Sequence, residues 1–599
     1  MRKLTFILIV TCLFLTSILT AQEKKILDRL EGFDQYMEKI LSDWNAPGVG
    51  VGIIYKDKLI FSKGYGYRDY GKKLPVTANT LFQIASNTKL FTATAIGFLV
   101  DEGLIEWDKP IKNFVHQIKF YNDELNNTVT IRDMLSHRTG ISRHDMIWIK
   151  SDFTRKELFE KLKYLEPRQP LRQGFMYNNL MYVASGYILE LLKQKTWEDF
   201  LKEKIFKPLG MNNSVFSISD MLKHPDYFVP YDEKRDTTIL YQIPYYEDAN
   251  AVGPAGSIIS NINDLSKWLI AQMNGGKYEG TQVIPEDVIK ATLTPAIPID
   301  NSRDLQKGYL ELLSPVYGMG RSVASYRGHL LTYHGGDLTG IHSQICFMPA
   351  DSIGVIVFTI GNHTSPLRDI ITYNIYEKLL GLDETPWSQR KLTQLTEIKA
   401  FSKEGRKKAG MDQVPNTKPS HPLEDYAGQF ENAAYGIINI SLKDDSLKFD
   451  FHHIILPLKH YHYDRFDTPN DEIYGKWSLN YLTSPQGDVD NIVMSIGEGT
   501  ETFTRKADAS MTDPAVLAKY LGEYEYSGFR LKIVLKDDNK LIITIPGQPD
   551  YELLPYKKDK FRDKHSADLV LNFINENGVI KGFDLIDPSG VYRYKKILE

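Results

Sequence analysis

The chain has almost no cysteine: two in 599 residues, Cys12 and Cys346. Cys12 falls in an N-terminal segment with the marks of a leader, so the mature chain keeps a single thiol and no internal disulfide forms. It also lacks an excess of either charge, since 72 Lys and Arg against 76 Asp and Glu leave a formal charge of −4 with the signs interspersed. Without a basic stripe there is no electrostatic footprint for nucleic acid or anionic lipid. Past the N-terminal segment, no apolar run reaches the ~20 residues that a spanning helix needs, so no membrane span is expected in the mature protein. No spacing of His, Cys, Asp and Glu completes a metal site, and neither a metal nor another cofactor is expected. What the chain does have is bulk, 42% hydrophobic and 12% aromatic, which is enough to bury more than one core in several domains.

Met1 to Ala21 carries Arg2 and Lys3, an apolar run from Phe6 to Leu19, and Thr20-Ala21 before the polar Gln22-Glu23-Lys24-Lys25. The pattern is that of a secretory signal peptide cut after Ala21, which predicts a periplasmic or extracellular protein. Residues 22–390 then mix strands and helices, 391–420 is a polar, basic linker containing KEGRKKAG and VPNTKPS, and short alternating strands follow to the end. The large domain opens on a hairpin, GVGVGIIYKDKLIFSKGYGY, and closes on another, SQICFMPADSIGVIVFTIGN, followed by a helix from Pro366 to Leu380. Strands from the two ends are expected to share one sheet, with the helical stretch from Thr88 to Trp268 inserted between them.

The C-terminal part repeats itself. YAGQFE at Tyr426 and YLGEYE at Tyr520 are followed, at the same spacing to within a residue, by SLKDDSLKF and VLKDDNKLIITI. A fixed period marks duplicated units, and the alternation predicts hairpins turning at Asp444-Asp445 and Asp537-Asp538. Two small antiparallel β domains are expected, 421–508 and 509–599. His452, His453, His460 and His462 fall in the first; they read as a solvated or hydrogen-bonded strand face because no carboxylate or cysteine completes a ligand set.

Chemistry is suggested by LFQIASNTKLFTATAIGFLV, from Leu81 to Val100. Ser86 and Lys89 are three apart and share a helix face. A hydroxyl is a poor nucleophile until a base takes its proton, and a buried lysine becomes such a base when its pKa falls. A Ser-x-x-Lys string also occurs by chance in a chain of this length, and it acquires meaning from its partners. Tyr177-Asn178-Asn179 puts polar side chains at the head of a second apolar helix: Tyr177 is placed to relay a proton to or from Ser86, and Asn179 to bond Lys89 and a substrate amide. His334-Gly335-Gly336-Asp337 enters the strand that carries Cys346; its glycines admit a substrate backbone, and the N–H groups of Asp337 and Ser86 form a candidate oxyanion hole. The Tyr-rich segment from Pro225 to Asp248 either overhangs this cleft or packs between domains.

These elements, in this order, resemble the serine β-lactamase and penicillin-binding protein superfamily, whose S-x-x-K, Y-x-N or S-x-N, and K-T-G elements meet in one cleft. TIRDMLSHRTGI from Thr130, KPLGM from Lys207, AVGPAGSIISNINDLSKWL from Ala251 and HGGDLTG from His334 resemble its class C-like branch, over roughly Ile26 to Leu380. The resemblance implies an α+β fold, an antiparallel sheet flanked by helices with a helical subdomain, followed by lipocalin-like β domains. It implies a serine hydrolase acylated at Ser86 with Lys89 and Tyr177 as its acid–base groups, and Asn179, His334, Gly336 and Asp337 binding a small-molecule or peptide substrate. D-amino-acid peptides or amides, and esters, are the expected substrates. A β-lactamase, or a penicillin-binding sensor acylated without turnover, are the alternatives. His334 stands where β-lactamases carry the lysine of K-T-G, which argues against efficient β-lactam hydrolysis, and Asp337 puts a carboxylate near the cleft.

Overall fold

The computed structural model describes residues 24–597 apart from 247, 248, 498, 508, 538, 539 and 567. The expected leader, Met1 to Ala21, lies outside the described residues. The chain divides into two compact units, to Ala409 and from Gly410.

The first unit is built on one antiparallel sheet. Helix α1, Phe33–Asp43, leads into β1, Gly48–Tyr55, and β2, Lys58–Asp69. Between them Lys56 takes a φ of +56° at the hairpin turn. The chain then leaves through helix α2, Thr88–Asp101, helix α3, Asn179–Lys193, and helix α4, Ile262–Met273. It returns as β3, Leu312–Tyr317, β4, Ser322–Tyr326, β5, His329–Leu338, β6, Ile341–Met348, and β7, Ile353–Ile360, and closes with helix α5, Ser365–Leu380. The sheet order is β3-β4-β5-β6-β7-β1-β2, with two-residue strands at each margin. The first and last pieces meet where Gly48 pairs with Ile360 and Tyr55 with Ile353, as the sequence leads one to expect.

Burial follows the strand period. Val355 and Val357 of β7 face a core with Phe33, Met37 and Ile40 of α1 and Leu367, Ile371 and Ile375 of α5. On the opposite face Phe358 stacks on Phe82 with ring centroids 4.5 Å apart, and a Cβ on Gly52 would sit 2.5 Å from Ile262 Cγ2 of α4. Glycine at 52 is therefore what lets α4 approach the sheet. Helix α2 is buried all round from Thr88 to Leu99, as an apolar central helix must be, and Phe91 stacks on Trp268 at 3.9 Å to fix it against α4.

The segment read as a linker is in large part a helix, α6, Trp387–Lys407. Its Lys, Arg, Glu, Gln and Leu residues are strong helix formers, and its polarity reflects an exposed face rather than lack of structure. Arg390–Glu311 at 2.7 Å, Lys399–Glu233 at 2.6 Å and Arg406–Asp236 at 2.6 Å tie it to the first unit.

The second unit contains two antiparallel β domains, a nine-stranded sheet spanning Gly428 to Arg505 and a closed eight-stranded barrel spanning Gly522 to Lys596. Asp444 and Asp445 both take positive φ, 49° and 54°, the conformation of a type I′ hairpin turn. The repeat extends to side chains: buried Tyr426 bonds Asp464, and buried Tyr520 bonds Asp559 at 2.6 Å. His460 meets the carbonyl of Tyr463 at 2.8 Å, and His462 accepts from the N–H of Val414 at 3.3 Å. Among the described residues, no group of three or more His, Cys, Asp and Glu is placed to hold a metal ion, and no helix is long and apolar enough to cross a membrane.

Candidate active site

Ser86 occupies a single 3₁₀ turn, Ala85–Asn87, immediately before α2. Ala85 has a φ of +50°, a left-handed conformation that costs a residue with a Cβ energy and is typical of tightly determined sites. Lys89, the second residue of α2 and one turn beyond Ser86, is fully buried. Its Nζ donates to Asn179 Oδ1 at 2.7 Å and to the carbonyl of Ala255 at 2.8 Å, and lies 3.2 Å from Ser86 Oγ. The rings of Tyr177 and Tyr182 flank it, with centroids 4.8 and 5.3 Å from Nζ. Burial, reinforced by the Arg143 guanidinium, pulls the Lys89 ammonium well below the ordinary lysine range, and Asp145 opposes this only in part.

Tyr177 donates its hydroxyl to Ser86 Oγ at 2.8 Å. Burial raises its pKa well above the usual phenol value despite the bond to Ser86, so it is a neutral donor. The backbone that presents it is held by its neighbours: Asn178 caps α3 by accepting from Met181 N at 3.2 Å, and its own N–H donates to His137 Nδ1 at 3.1 Å. The His137 ring packs 4.3 Å from that of Tyr177. Asn179, the first residue of α3, bridges Lys89 and Asp145, donating to Asp145 Oδ1 at 2.9 Å. Four of the predicted residues, Ser86, Lys89, Tyr177 and Asn179, thus converge.

The strand element differs from expectation: residues 334–337 end β5 rather than entering the strand of Cys346, which is the neighbouring β6. His334 is buried; its Nδ1–H donates to the Gly335 carbonyl at 2.6 Å and its Nε2 accepts from Tyr317 OH at 2.9 Å. Burial brings its pKa down to about 3, and it is neutral. Its side chain is not on the cleft wall but behind Tyr177, with ring centroids 6.4 Å apart. Gly336 is filled by protein rather than left open to substrate: a Cβ there would lie 2.2 Å from the Ile84 carbonyl oxygen and 2.3 Å from Ser343 Oγ. The glycine lets β5 press on the backbone that carries Ser86. Asp337 does face the cleft, yet its charge is matched by Arg368 at 2.5 Å, and His342 Nδ1 meets it at 2.7 Å. Burial opposes its ionisation, but these partners outweigh it and hold the carboxyl well below the usual range. Pairing of β4 with β5 ends at Tyr333, so residues 334–338 present an unpaired edge on that side.

A cavity of about 350 Å³ opens over Ser86, lined also by Asn179, Asp337, Gly256, Arg143, Asp145, Trp148, Tyr246 and His342. Arg143 Nε and Asp145 Oδ2 pair at 2.6 Å. Arg143, Asp145, Trp148 and His342 were not singled out from sequence, although SRHDMIW, polar and aromatic directly after a Thr-Gly turn, is the signal that carries three of them. Tyr246 bears out one reading of the Tyr-rich segment; Tyr231, by contrast, is spent on packing, its hydroxyl 3.0 Å from buried Asp69. Cys346 is buried with its thiol pushed up to about 12 by that burial, and it takes no part in the cleft.

Residues 33–380 match the family described as Beta-lactamase, and residues 412–505 match DUF3471, a domain of unknown function. Among curated proteins, the chain is 26% identical over 433 residues to the Unguisins hydrolase ungD of Aspergillus violaceofuscus, covering 68% of this chain and 76% of that one. It is 24% identical over 338 residues to Protein flp of Staphylococcus aureus, covering 55% and 63%. Among solved structures, the octameric penicillin-binding protein homologue of Pyrococcus abyssi superposes with a TM-score of 0.52 at 20% identity, over 86% of this chain and 98% of that one. The Beta-lactamase match covers more than half of the sequence, and the chain belongs to that family of serine hydrolases.

Proposed function

We propose that this member of the Beta-lactamase family is exported and forms an acyl-enzyme at Ser86, hydrolysing a peptide or amide of the D-amino-acid type, or a small ester. The observation that carries the reading is the bonding of Lys89. A neutral amine has two N–H bonds and one lone pair; Asn179 and Ala255 accept the two hydrogens, and the remaining direction points to Ser86 Oγ. Ser86 accepts from Tyr177, so its own proton is free to lie toward Lys89.

In the forward step Lys89 takes the Ser86 proton as Oγ attacks the substrate carbonyl. The backbone N–H groups of Ser86 and Asp337 stabilise the oxyanion, the term that usually contributes most to acyl transfer. Tyr177 protonates the leaving amine or alkoxide and recovers a proton from Lys89. Water then repeats the sequence on the ester, restoring Ser86 and releasing the acid. Export rests on the leader read in the sequence.

The charges around the cleft support substrates that are neutral where a β-lactam carries its carboxylate. His334 contributes no cation, Arg143 is paired with Asp145, and Asp337 with Arg368. The relative named as a hydrolase agrees with turnover rather than mere acylation. The test is fluorophosphonate labelling followed by a panel of a neutral p-nitrophenyl ester, a D-alanyl amide and a cephalosporin. The reading expects product in molar excess over enzyme from the first two. Stoichiometric acylation without release would make the protein a sensor, and preference for the cephalosporin a β-lactamase.

A further inference from the structure

Arg321, just before β4, is 1% exposed. Its Nη2 donates to Gln272 Oε1 of α4, but its Nε and Nη1, together with Gln272 Nε2, have no acceptor in the protein among the described residues. Arg321 and Gln272 line a cavity of about 20 Å³ together with Asn87, Leu90, Trp268, Thr332 and Phe347, with no carboxylate in its wall. The Phe347 ring, 5.7 Å from the guanidinium carbon, offers only a weak cation–π contact at that range.

A buried charge is normally paired or neutralised. Neutralisation is closed to this residue near pH 7: burial pulls the guanidinium down to about 9, and it stays protonated. Pairing by a side chain is closed as well, because no Asp or Glu among the described residues reaches it. The remaining partner is a small anion. Size narrows its class, since about 20 Å³ is little more than the space of a single water molecule, too little for phosphate or sulfate and of the scale of a monatomic anion. Water fits the space but leaves the charge uncompensated.

We propose that Arg321 and Gln272 hold a single halide ion, chloride under ordinary conditions, behind the helix that carries Lys89. The site bears on that helix directly: a Cβ on Gly320 would lie 2.8 Å from Leu90 Cα and 2.9 Å from the Lys89 carbonyl oxygen, and Asn87 and His334 border the cavity. The ion therefore fixes the seat of α2 without touching the reacting atoms.

The full chain is melted in sodium chloride and in sodium gluconate at equal ionic strength, and crystallised in sodium bromide for anomalous diffraction. The proposal expects a saturable rise in Tm of about 2–4 °C with chloride, an anomalous peak beside the Arg321 guanidinium, and loss of the chloride effect in Arg321→Met. Equal melting of the wild type in the two salts, no anomalous signal at this position, or a chloride effect that persists in Arg321→Met overturns it. If Arg321→Met does not fold, the wild-type melts and the bromide map decide alone.

Discussion

Lys89 and Arg321 are both buried bases of the first unit, 0% and 1% exposed, and they meet burial in opposite ways. In the proposed mechanism lysine escapes by giving up its proton: two acceptors, Asn179 Oδ1 and the Ala255 carbonyl, are in place for its hydrogens, and Ser86 Oγ lies 3.2 Å away. Arginine has no such escape near neutrality, and its donors are left toward a cavity. The difference teaches that a buried cation is not one kind of feature: the first is a base in waiting, the second a binding site.

The comparison is broken most completely at its centre. Ser86→Ala is expected to abolish both turnover and fluorophosphonate labelling, because the mechanism has no second nucleophile; a labelled mutant, read by intact mass, would sink the assignment. Next in size is Lys89→Arg, which turns one side of the comparison into the other. It installs a permanent positive charge and removes the base, so kcat should fall by ~10²–10⁴, the ordinary worth of general-base catalysis. Retained activity would mean that Tyr177 is the principal base. Gly336→Ala removes no reacting group yet forces a Cβ to 2.2 Å from the Ile84 carbonyl. Displacing the Ser86 turn by about 1 Å should cost ~10²-fold in kcat, and normal kinetics would show that the turn is not seated by β5.

The smallest expected effect is thermodynamic. His334 has a pKa of about 3 in the fold and ~6.5 unfolded. Between those values the unfolded chain binds a proton that the fold does not, so stability falls as pH drops through the window, by up to ~1.4 kcal/mol per pH unit for this one group. Urea unfolding of wild type and His334→Asn at pH 7 and pH 4.5 should therefore show a shallower loss in the variant, and parallel losses would remove His334 as the cause.

How much of this was legible in the sequence depended on whether meaning lay in local spacing or in packing. Ser86 and Lys89 were visible because three residues of helix bring them together, and Tyr177 and Asn179 because a second helix begins beside them. The two β domains announced themselves by repetition, down to the paired tyrosines Tyr426 and Tyr520. His334 and Gly336 were noticed, but as substrate contacts; what decides their role is the hydroxyl of Tyr317, two strands away in the sheet, and the Ile84 backbone, from the far end of the domain. Arg321 was invisible for the same reason, since a single arginine in YGMGRSV looks like any surface arginine until the sheet, α2 and α4 close around it. Helix α6 was read as a linker because exposure and disorder leave the same polar composition.

The central claim is that Lys89 is neutral at rest and receives the Ser86 proton. It is tested most directly by the rate of Ser86 fluorophosphonate labelling as a function of pH, in wild type and Lys89→Arg. The account predicts a wild-type rate that rises with pH through an inflection well below the ~10.4 of an ordinary lysine and then levels, with a slow profile lacking that inflection in the variant. A wild-type inflection near ~10.4, or the same low inflection in both proteins, would contradict it.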